Sequence, residues 1–207
     1  MSFKNGLKKV WHFIWKEDSF ASWVVNVILA FIIVKFLIYP GLGLLLGTSY
    51  PVVAVVSSSM EHNTDFENWW VNSEKCFNPF NITKEKVSDY KFKNGFNKGD
   101  IMVLVGRPMN VKIGDVIVFQ GSLKDPIIHR VMRIYSEDGN YYIQTKGDNY
   151  LTNCGSRQDE QKIPTKNLYG RAVFRLPWLG WVKITAVCGL NQFSSNQKSF
   201  FDCMKQM

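Results

Sequence analysis

The hydrophobic pattern divides the chain into one long apolar run and a series of short ones. Between Asp18 and Glu61 the only charged residue is Lys35, and Val, Ile, Leu and Phe dominate residues 20–46. About 20 apolar residues allow a helix to cross a bilayer, whereas the apolar core of a cleavable signal peptide has only about 7–15. We therefore predict a retained transmembrane anchor over residues 20–46.

The charges around this anchor predict its direction. Only Glu17 and Asp18 oppose the four cations that precede it, which are Lys4, Lys8, Lys9 and Lys16. No cation follows the anchor closely, so the positive-inside tendency places residues 1–19 in the cytoplasm and the chain after residue 46 outside it. Lys35 is better explained as a side chain that snorkels to an interface than as a functional charge inside the membrane.

Beyond the anchor, short β-branched and apolar runs alternate with turn signals. The runs cover residues 101–105, 116–119, 127–135, 141–145 and 171–174. This spacing predicts an antiparallel β domain over residues 47–182, and hence a mainly β fold with one N-terminal transmembrane helix. A helical pattern over residues 181–190 is too short to span a membrane, and residues 183–207 are expected to form a C-terminal tail.

Residues 61–98 interrupt the strand pattern. The segment is polar and turn-rich, contains Trp69, Trp70 and the sequon Asn81-Ile82-Thr83, and has no clean periodicity. A segment of this length without regular structure is typical of a functional insertion or lid. We therefore interpret it as an insertion into the β domain.

Composition and charge exclude some classes of function. The net charge is +8 and the isoelectric point is near 9.3, but Lys and Arg are scattered, which argues against nucleic-acid binding. The cysteines form no Cys-x-x-Cys pair and show no zinc-site spacing. They are expected to be thiols or to form up to two disulfides, with three connectivities open. The four are Cys76, Cys154, Cys188 and Cys203.

Two short segments carry candidate chemistry. Ser57-Ser58-Ser59 follows the apolar run 52–56, and alone it would more often be a turn than a nucleophile. His129 interrupts an apolar strand, where a lone histidine is more often structural. The Asp138-Gly139 dipeptide predicts a two-residue hairpin turn, which would place Asp148 directly opposite His129 on the same face. A bulge or a slip of one residue would break that pairing.

These residues stand within four boxes that resemble those of the type I signal peptidases, in the archaeal and endoplasmic-reticulum branch. The boxes occur in the family's order behind an anchor, and together they are highly specific. They are Ser57-Ser58-Ser59-Met60-Glu61, Gly114-Asp115-Val116-Ile117-Val118-Phe119, Ile128-His129-Arg130-Val131 and Thr145-Lys146-Gly147-Asp148-Asn149. Residues 177–181 resemble the family's closing segment. The resemblance implies an antiparallel β catalytic domain outside the cytoplasm.

The resemblance also implies roles for individual residues. Ser59 matches the nucleophile, and His129 stands where bacterial members have a lysine base, which places the chain in the serine–histidine branch. Ser57 is the candidate for an oxyanion-stabilising hydroxyl, and Met60 for a substrate contact. The acidic positions are matched by Asp148 and, after unusual spacing, by Asp159, with Glu160 as the alternative.

Two departures from the family pattern affect the expected site. His62 stands where proline is common, so it is expected to loosen the turn after Ser59 or to add a titratable group. The insertion is longer than in compact members, and we expect Trp69 and Trp70 to shape substrate access or to touch the membrane surface.

The function implied by the resemblance is removal of signal peptides from secreted and membrane precursors by a membrane-bound serine endopeptidase. Its expected partners are those precursors and the lipid bilayer, with no nucleic acid, metal or organic cofactor, and the need for partner subunits stays open. The alternative is an inactive relative that serves as a membrane scaffold. The expected location is the cell membrane or the endoplasmic-reticulum membrane.

Overall fold

The computed structural model describes residues 3–106, 110–122 and 125–193, and the chain divides into two compact units after Leu45. In the first unit, helix α1 (Phe3–Lys16) precedes an apolar helix, Phe20–Leu46, which among the described residues is the one long and apolar enough to cross a membrane. The apolar helix therefore coincides with the predicted anchor. The hydroxyl of Ser22 donates to the carbonyl of Phe13 at 2.6 Å, which ties the two helices together.

The apolar helix contains one irregular turn. It consists of α2 (Phe20–Ile33), a π-helical turn (Val34–Ile38) and α3 (Tyr39–Leu46). The π-helical turn comes directly before Pro40, whose ring lacks an N–H and crowds the preceding turn of an α-helix. In the wider turn the N–H of Tyr39 bonds to the carbonyl of Val34, so the helix continues through the proline.

The second unit is built on one antiparallel sheet of seven strands, which confirms the predicted fold class. Its strands are β1 (Val52–Ala54), β2 (Ile101–Val105), β3 (Val116–Phe119), β4 (Ile127–Glu137), β5 (Asn140–Lys146), β6 (Ile163–Pro164) and β7 (Leu168–Leu176). Their order across the sheet is β1-β2-β7-β3-β4-β5-β6. The predicted strands all exist, whereas the two-residue β6 carried no sequence signal.

Apolar side chains pack on both faces of this sheet. Strand β3 is buried along its whole length, with Val116 and Val118 in one cluster and Ile117 and Phe119 in another. Successive residues of a strand point to opposite faces, so a fully buried strand must be covered on both sides. The functional segments flank this central part of the sheet.

The insertion is helical, which differs from the irregular segment expected from sequence. It contains α4 (Phe66–Phe77) and α5 (Lys84–Ser88), joined through a 3-10 turn (Asn78–Phe80). Asp65 caps α4 by accepting a hydrogen bond from the N–H of Asn68 at 3.1 Å. Helices of 12 and 5 residues are too short for their periodicity to stand out in a segment rich in turns.

The insertion forms an aromatic cluster of its own against the sheet. The cluster contains Trp69, Trp70, Cys76, Phe77, Ile82, Val87 and Met132. Trp69 is fully buried and Trp70 is 6% exposed, so the expectation that they touch the membrane surface is wrong. A disulfide between Cys76 and Cys154 also joins α4 to the segment after β5. Cys203 lies outside the described residues.

Two further α-helices and a 3-10 turn (Thr165–Asn167) lie in the second half of the β domain. Helix α6 (Gln158–Gln161) lies between β5 and β6, and α7 (Trp181–Phe193) follows β7. Helix α7 crosses the predicted boundary between the β domain and the tail at residue 183. Residues 194–207 of that tail lie outside the described part of the chain.

Candidate active site

Ser59 lies in the turn that follows β1, and backbone contacts fix this turn. The carbonyl of Ser59 accepts a hydrogen bond from the N–H of Asn149 at 2.9 Å, and the Asn149 side chain donates to the carbonyl of Ser58 at 3.0 Å. A Cβ added at Gly147 would stand 2.5 Å from the Ser59 carbonyl oxygen. Glycine at residue 147 therefore lets the turn after β5 approach the serine.

His129 joins this serine to a buried carboxylate. The Oγ of Ser59 donates to Nε2 of His129 at 2.9 Å, and Nδ1 of His129 donates to Oε1 of Glu160. His129 is 4% exposed and Glu160 is fully buried. With the proton on Nδ1, Nε2 is free to accept the serine proton, which is the arrangement that activates a hydroxyl nucleophile.

Helix α6 positions the carboxylate of Glu160. Its Oε2 accepts a hydrogen bond from the N–H of Arg157 at 2.9 Å, while the N–H of Glu160 donates to the carbonyl of Arg157 at 3.0 Å. The carboxylate thus reaches back to the N-cap N–H as in a capping box, but the N-cap acceptor is a backbone carbonyl and not a side chain. Both carboxylate oxygens therefore have partners, and Oε1 is directed at the imidazole.

Ser57 lies close to Ser59. Their hydroxyl oxygens are 3.1 Å apart, and Ser57 is exposed whereas Ser59 is half-buried. A hydroxyl at this distance can reach the oxygen of a carbonyl that Ser59 attacks. The structure thus brings together three of the predicted site residues, Ser57, Ser59 and His129, with the alternative acid Glu160.

Asp148 does not lie opposite His129, and the pairing predicted for these two residues is wrong. The hairpin turn is where it was expected, and Glu137 pairs with Asn140 through to Arg133 with Gln144. A bulge between Val131 and Arg133 then shifts the register, so that Arg130 pairs with Lys146. In the shifted register Gly147 comes opposite His129, and Asp148 is one residue too far.

The carboxylate of Asp148 instead pairs with Arg130. The Nε of Arg130 lies 2.9 Å from Oδ1, and its NH2 lies 2.5 Å from Oδ2. Both side chains are fully buried. Burial raises the pKa of Asp148, but Arg130, a hydrogen bond from His62 and the charge of Lys146 outweigh it and hold this pKa well below its usual range.

Arg130 is also bonded to three backbone carbonyls. Its NH1 donates to Gly114 at 2.8 Å and to Lys91 at 3.1 Å, and its NH2 donates to Phe92 at 2.9 Å. These contacts connect β4 to the loop before β3 and to the end of the insertion. The Asp148–Arg130 pair is therefore a structural junction in the domain.

Asp159 and Met60 do not contact the Ser59–His129 pair. The carboxylate of Asp159 accepts hydrogen bonds from the N–H of Ser122 at 2.9 Å and from its hydroxyl at 2.5 Å, and it forms an ion pair with Arg157. Hydrogen bonding to Ser122 lowers the pKa of Asp159. Met60 is fully buried in the core with Val55, so it cannot contact a substrate.

His62 is buried and held by the insertion, which differs from the loosened turn expected at this position. Its ring stacks on Trp69 with centroids 3.7 Å apart and planes within 2°. Its Nε2 lies 3.4 Å from Oδ2 of Asp148, and the indole N–H of Trp69 donates to the Asp148 carbonyl at 3.1 Å. The stack therefore braces the chain after Ser59 against the turn after β5.

A buried lysine lies beside these acidic groups. Lys146 is fully buried, donates to the carbonyl of Gly147 at 2.9 Å and stands 3.9 Å from the ring centre of Phe77. Burial, assisted by the positive charge of Arg130, lowers the pKa of Lys146 to about 8 against the opposing effect of Asp148 and Glu160. Phe77 comes from the insertion, so the insertion sets the environment of this charge.

The sequence favoured Asp148 and Asp159 over Glu160, whereas Glu160 is the carboxylate that contacts His129. The buried positions of Lys146 and Arg130 were not predicted. Glu160 carried no capping-box signal, because Arg157, three residues earlier, has no side-chain acceptor. Both basic residues stood inside recognised boxes. Among the described residues, no group of three or more His, Cys, Asp or Glu side chains is arranged to hold a metal ion.

Known proteins resemble this chain in sequence. SEC11, the signal peptidase complex catalytic subunit of Scheffersomyces stipitis, is 28% identical over 153 residues, which cover 72% of this chain and 73% of that protein. The SEC11 subunit of Lachancea thermotolerans is 28% identical over 155 residues, with the same coverage of both chains. Human SEC11C is 29% identical over 153 residues, which cover 72% of this chain but only 63% of the human protein.

No protein-family model matches the chain. The three relatives are nevertheless all signal peptidase complex catalytic subunits. The similarity covers most of this chain, and the fold supplies both a β domain and a candidate membrane span. The chain is thus similar, over about 72% of its length, to catalytic subunits of the endoplasmic-reticulum type of signal peptidase.

Proposed function

We propose that this chain is a membrane-anchored serine endopeptidase that removes N-terminal signal peptides from exported precursors. The observation that carries the proposal is the hydrogen bond of 2.9 Å between Ser59 Oγ and His129 Nε2, continued by the contact of His129 with Glu160. A hydroxyl, an imidazole and a carboxylate in this order form the hydrolytic set of serine proteases. The inactive-scaffold alternative would not require it.

In the proposed reaction, Ser59 attacks the carbonyl carbon of the scissile bond while His129 takes the hydroxyl proton. Glu160 stabilises the imidazolium and keeps the ring oriented. The Ser57 hydroxyl and the N–H of Ser59 are the proposed donors to the oxyanion. His129 then gives its proton to the leaving amine, and a water molecule activated in the same way releases the acyl group from Ser59.

The proposed substrate is an extended segment that adds to the sheet beside β1. Within the described residues this strand is at the edge of the sheet and pairs with β2 alone, so its outer side can bind another strand. Strand β1 ends five residues before Ser59. A peptide paired with β1 would therefore run toward the serine.

The proposed topology has residues 1–19 in the cytoplasm and the β domain outside it, in the endoplasmic-reticulum or cell membrane. Its support is the excess of lysines before Phe20. The connection from Leu46 to Ser59 can extend at most roughly 45 Å, so the serine stays near the bilayer that holds the apolar core of the signal peptide. Precursors bearing signal peptides are the proposed substrates, and the relatives' names suggest partner subunits.

Cleavage of a precursor by the detergent-solubilised full chain tests the proposal. Ser59→Ala and His129→Ala are each expected to abolish cleavage, whereas Ser58→Ala, a change at the exposed neighbouring serine, is expected to leave it within a few-fold of the unmodified chain. Equal unfolding midpoints for the variants would exclude misfolding as the cause. Retained cleavage in both Ser59→Ala and His129→Ala would show that the assigned chemistry is wrong.

A further inference from the structure

The insertion carries a motif that the proposed peptidase reaction does not use. Asn81-Ile82-Thr83 is the only Asn-x-Ser/Thr sequence in the 207 residues, and such a sequence is the acceptor for N-linked glycosylation. In the folded domain Asn81 and Thr83 are exposed, whereas Ile82 between them is 3% exposed and packs in the aromatic cluster. The buried isoleucine thus fixes the turn with both acceptor residues facing outward.

Hydrogen bonds fix the backbone of Asn81, whereas its side chain makes none within the described residues. Asn81 ends the 3-10 turn in a left-handed conformation with φ of 56°, and its N–H donates to the carbonyl of Asn78 at 3.0 Å. Lys86 donates to the carbonyl of Asn81 at 3.4 Å. Within the described part of the chain, the carboxamide of Asn81 makes no hydrogen bond that a modification would break.

A cleft of about 340 Å³ adjoins this asparagine. Its lining consists of Phe80, Asn81, Ile82, Lys86, Asp89, Tyr90 and Ile113. Phe80, Tyr90 and Ile113 supply apolar lining, Lys86 and Asp89 supply a cation and a carboxylate, and Ile113 is 47% exposed. A sugar ring has apolar C–H faces and polar hydroxyls, so a glycan attached to Asn81 could cover the apolar lining and bond to the charged side chains.

We infer that Asn81 is an N-glycosylation site whose first sugar lies in this cleft. The reaction joins the carboxamide nitrogen of Asn81 to the anomeric carbon of an oligosaccharide supplied as a lipid-linked pyrophosphate. The carbon–oxygen bond to the pyrophosphate breaks, the lipid pyrophosphate leaves with the electron pair, and the amide loses one proton. The inference rests on the extracytoplasmic orientation in the proposed function, because the transferase acts on that side of the membrane.

The test is synthesis of the full chain with membranes that carry an N-glycosylation apparatus. The unmodified chain is expected to give a slower band that peptide-N-glycosidase removes, and Thr83→Ala is expected to give none. As a matched control, Lys112→Thr in the Thr83→Ala chain creates a new acceptor at exposed Asn110. Modification of this control but not of the natural sequence would overturn the inference and leave the orientation intact.

A chain unmodified at both acceptor sequences would overturn the inference by showing that the orientation is wrong. Precursor cleavage measured separately with Ser59→Ala then decides whether the peptidase assignment also fails. The position of the sugar is tested by thermal unfolding of the same chain from hosts with and without glycosylation. The glycan is expected to raise the midpoint by roughly 2–4 °C, and Ile113→Ser to abolish that increase. An unchanged increase in Ile113→Ser would place the sugar elsewhere.

Discussion

Two buried carboxylates contact neighbouring residues of β4 from opposite sides of the strand. Glu160 contacts His129, which reaches the half-buried Ser59, whereas Asp148 contacts Arg130. Successive residues of a strand point to opposite faces, so one face of β4 meets the nucleophile and the other meets the insertion. The two acids are equally buried, and their partners distinguish them.

The difference lies in what each partner can still do. Imidazole can gain and lose a proton near neutral pH, and one nitrogen of His129 is directed at a hydroxyl. The guanidinium of Arg130 stays charged, and backbone carbonyls occupy its remaining donors. Burial and pairing alone therefore do not identify a catalytic acid, and the partner's chemistry is required as well.

Removal of the Glu160 charge is expected to have the largest effect on activity. Glu160→Gln should lower kcat by roughly 10³–10⁴-fold with little change in KM, because the amide cannot stabilise the imidazolium. Cleavage kinetics with a precursor peptide measure this effect. Asp159→Asn is the matched control, since Asp159 adjoins Glu160 but contacts Ser122, and its kcat should stay within a few-fold. Equal losses in both variants would contradict the assignment.

Removal of the Asp148 charge, on the other face of β4, is expected to lower stability and not activity. Asp148→Asn leaves the buried guanidinium of Arg130 without its counter-charge, which should lower the free energy of unfolding by roughly 3–5 kcal/mol. Urea unfolding of the solubilised chain measures this loss. The kcat per folded molecule should remain within a few-fold of the unmodified value. A kcat as low as that of Glu160→Gln would remove the distinction between the two acids.

Lys146, which lies next to Asp148, should make the free energy of unfolding depend on pH. Below pH 8 this lysine is charged in both the folded and the unfolded chain, and its burial costs roughly 3 kcal/mol. Between the folded pKa of about 8 and the ordinary value of 10.5, the folded chain releases the proton first, so stability rises with pH. Lys146→Met should remove this rise, which unfolding midpoints at pH 7 and pH 10 would reveal. Parallel pH dependence in both chains would refute the prediction.

The smallest expected effect comes from the insertion. Trp69→Phe keeps a ring against His62 but removes the donor to the Asp148 carbonyl, which should cost about 1 kcal/mol of unfolding free energy. Val71→Ala, at an exposed position of the same helix, is the control and should change stability much less. The kcat is expected to change by less than about threefold in both variants. A large fall in kcat for Trp69→Phe would mean that the insertion also affects the position of Ser59 or His129.

The strands and the anchor could be predicted because their signals are local. β-branched runs between turn residues marked β2, β3 and β4, and the Asp138-Gly139 turn is confirmed, with positive φ at both residues. The helices of the insertion were not predictable in this way. Their stability comes from Trp69, Trp70 and Phe77 packing on the sheet and from a disulfide to Cys154, and these contacts join distant parts of the chain.

Only the part of the site that follows from the order of the motifs and from an ideal hairpin could be predicted. Those placed Ser59 and His129 among the candidates, and they favoured Asp148 over Glu160 because the hairpin was taken as regular. The bulge that overturns this choice leaves Met132 outside the ladder, packed in the insertion's aromatic cluster. No residue within β4 predicts the bulge, because the other buried members of that cluster lie 45 or more residues earlier in the chain.

The same bulge makes the outer part of the β4–β5 hairpin a suitable place to insert a peptide. Because the register is reset at Met132, the ladder that begins at Asp138 and Gly139 does not continue in the same register to His129. A reporter or affinity peptide could be inserted into that exposed tip while the imidazole of His129 stays on the same face of the sheet. One residue added between His129 and the bulge would instead turn the inner half of the strand over. Insertions in β4 should therefore be placed after Arg133, on the side of the bulge that faces the hairpin tip.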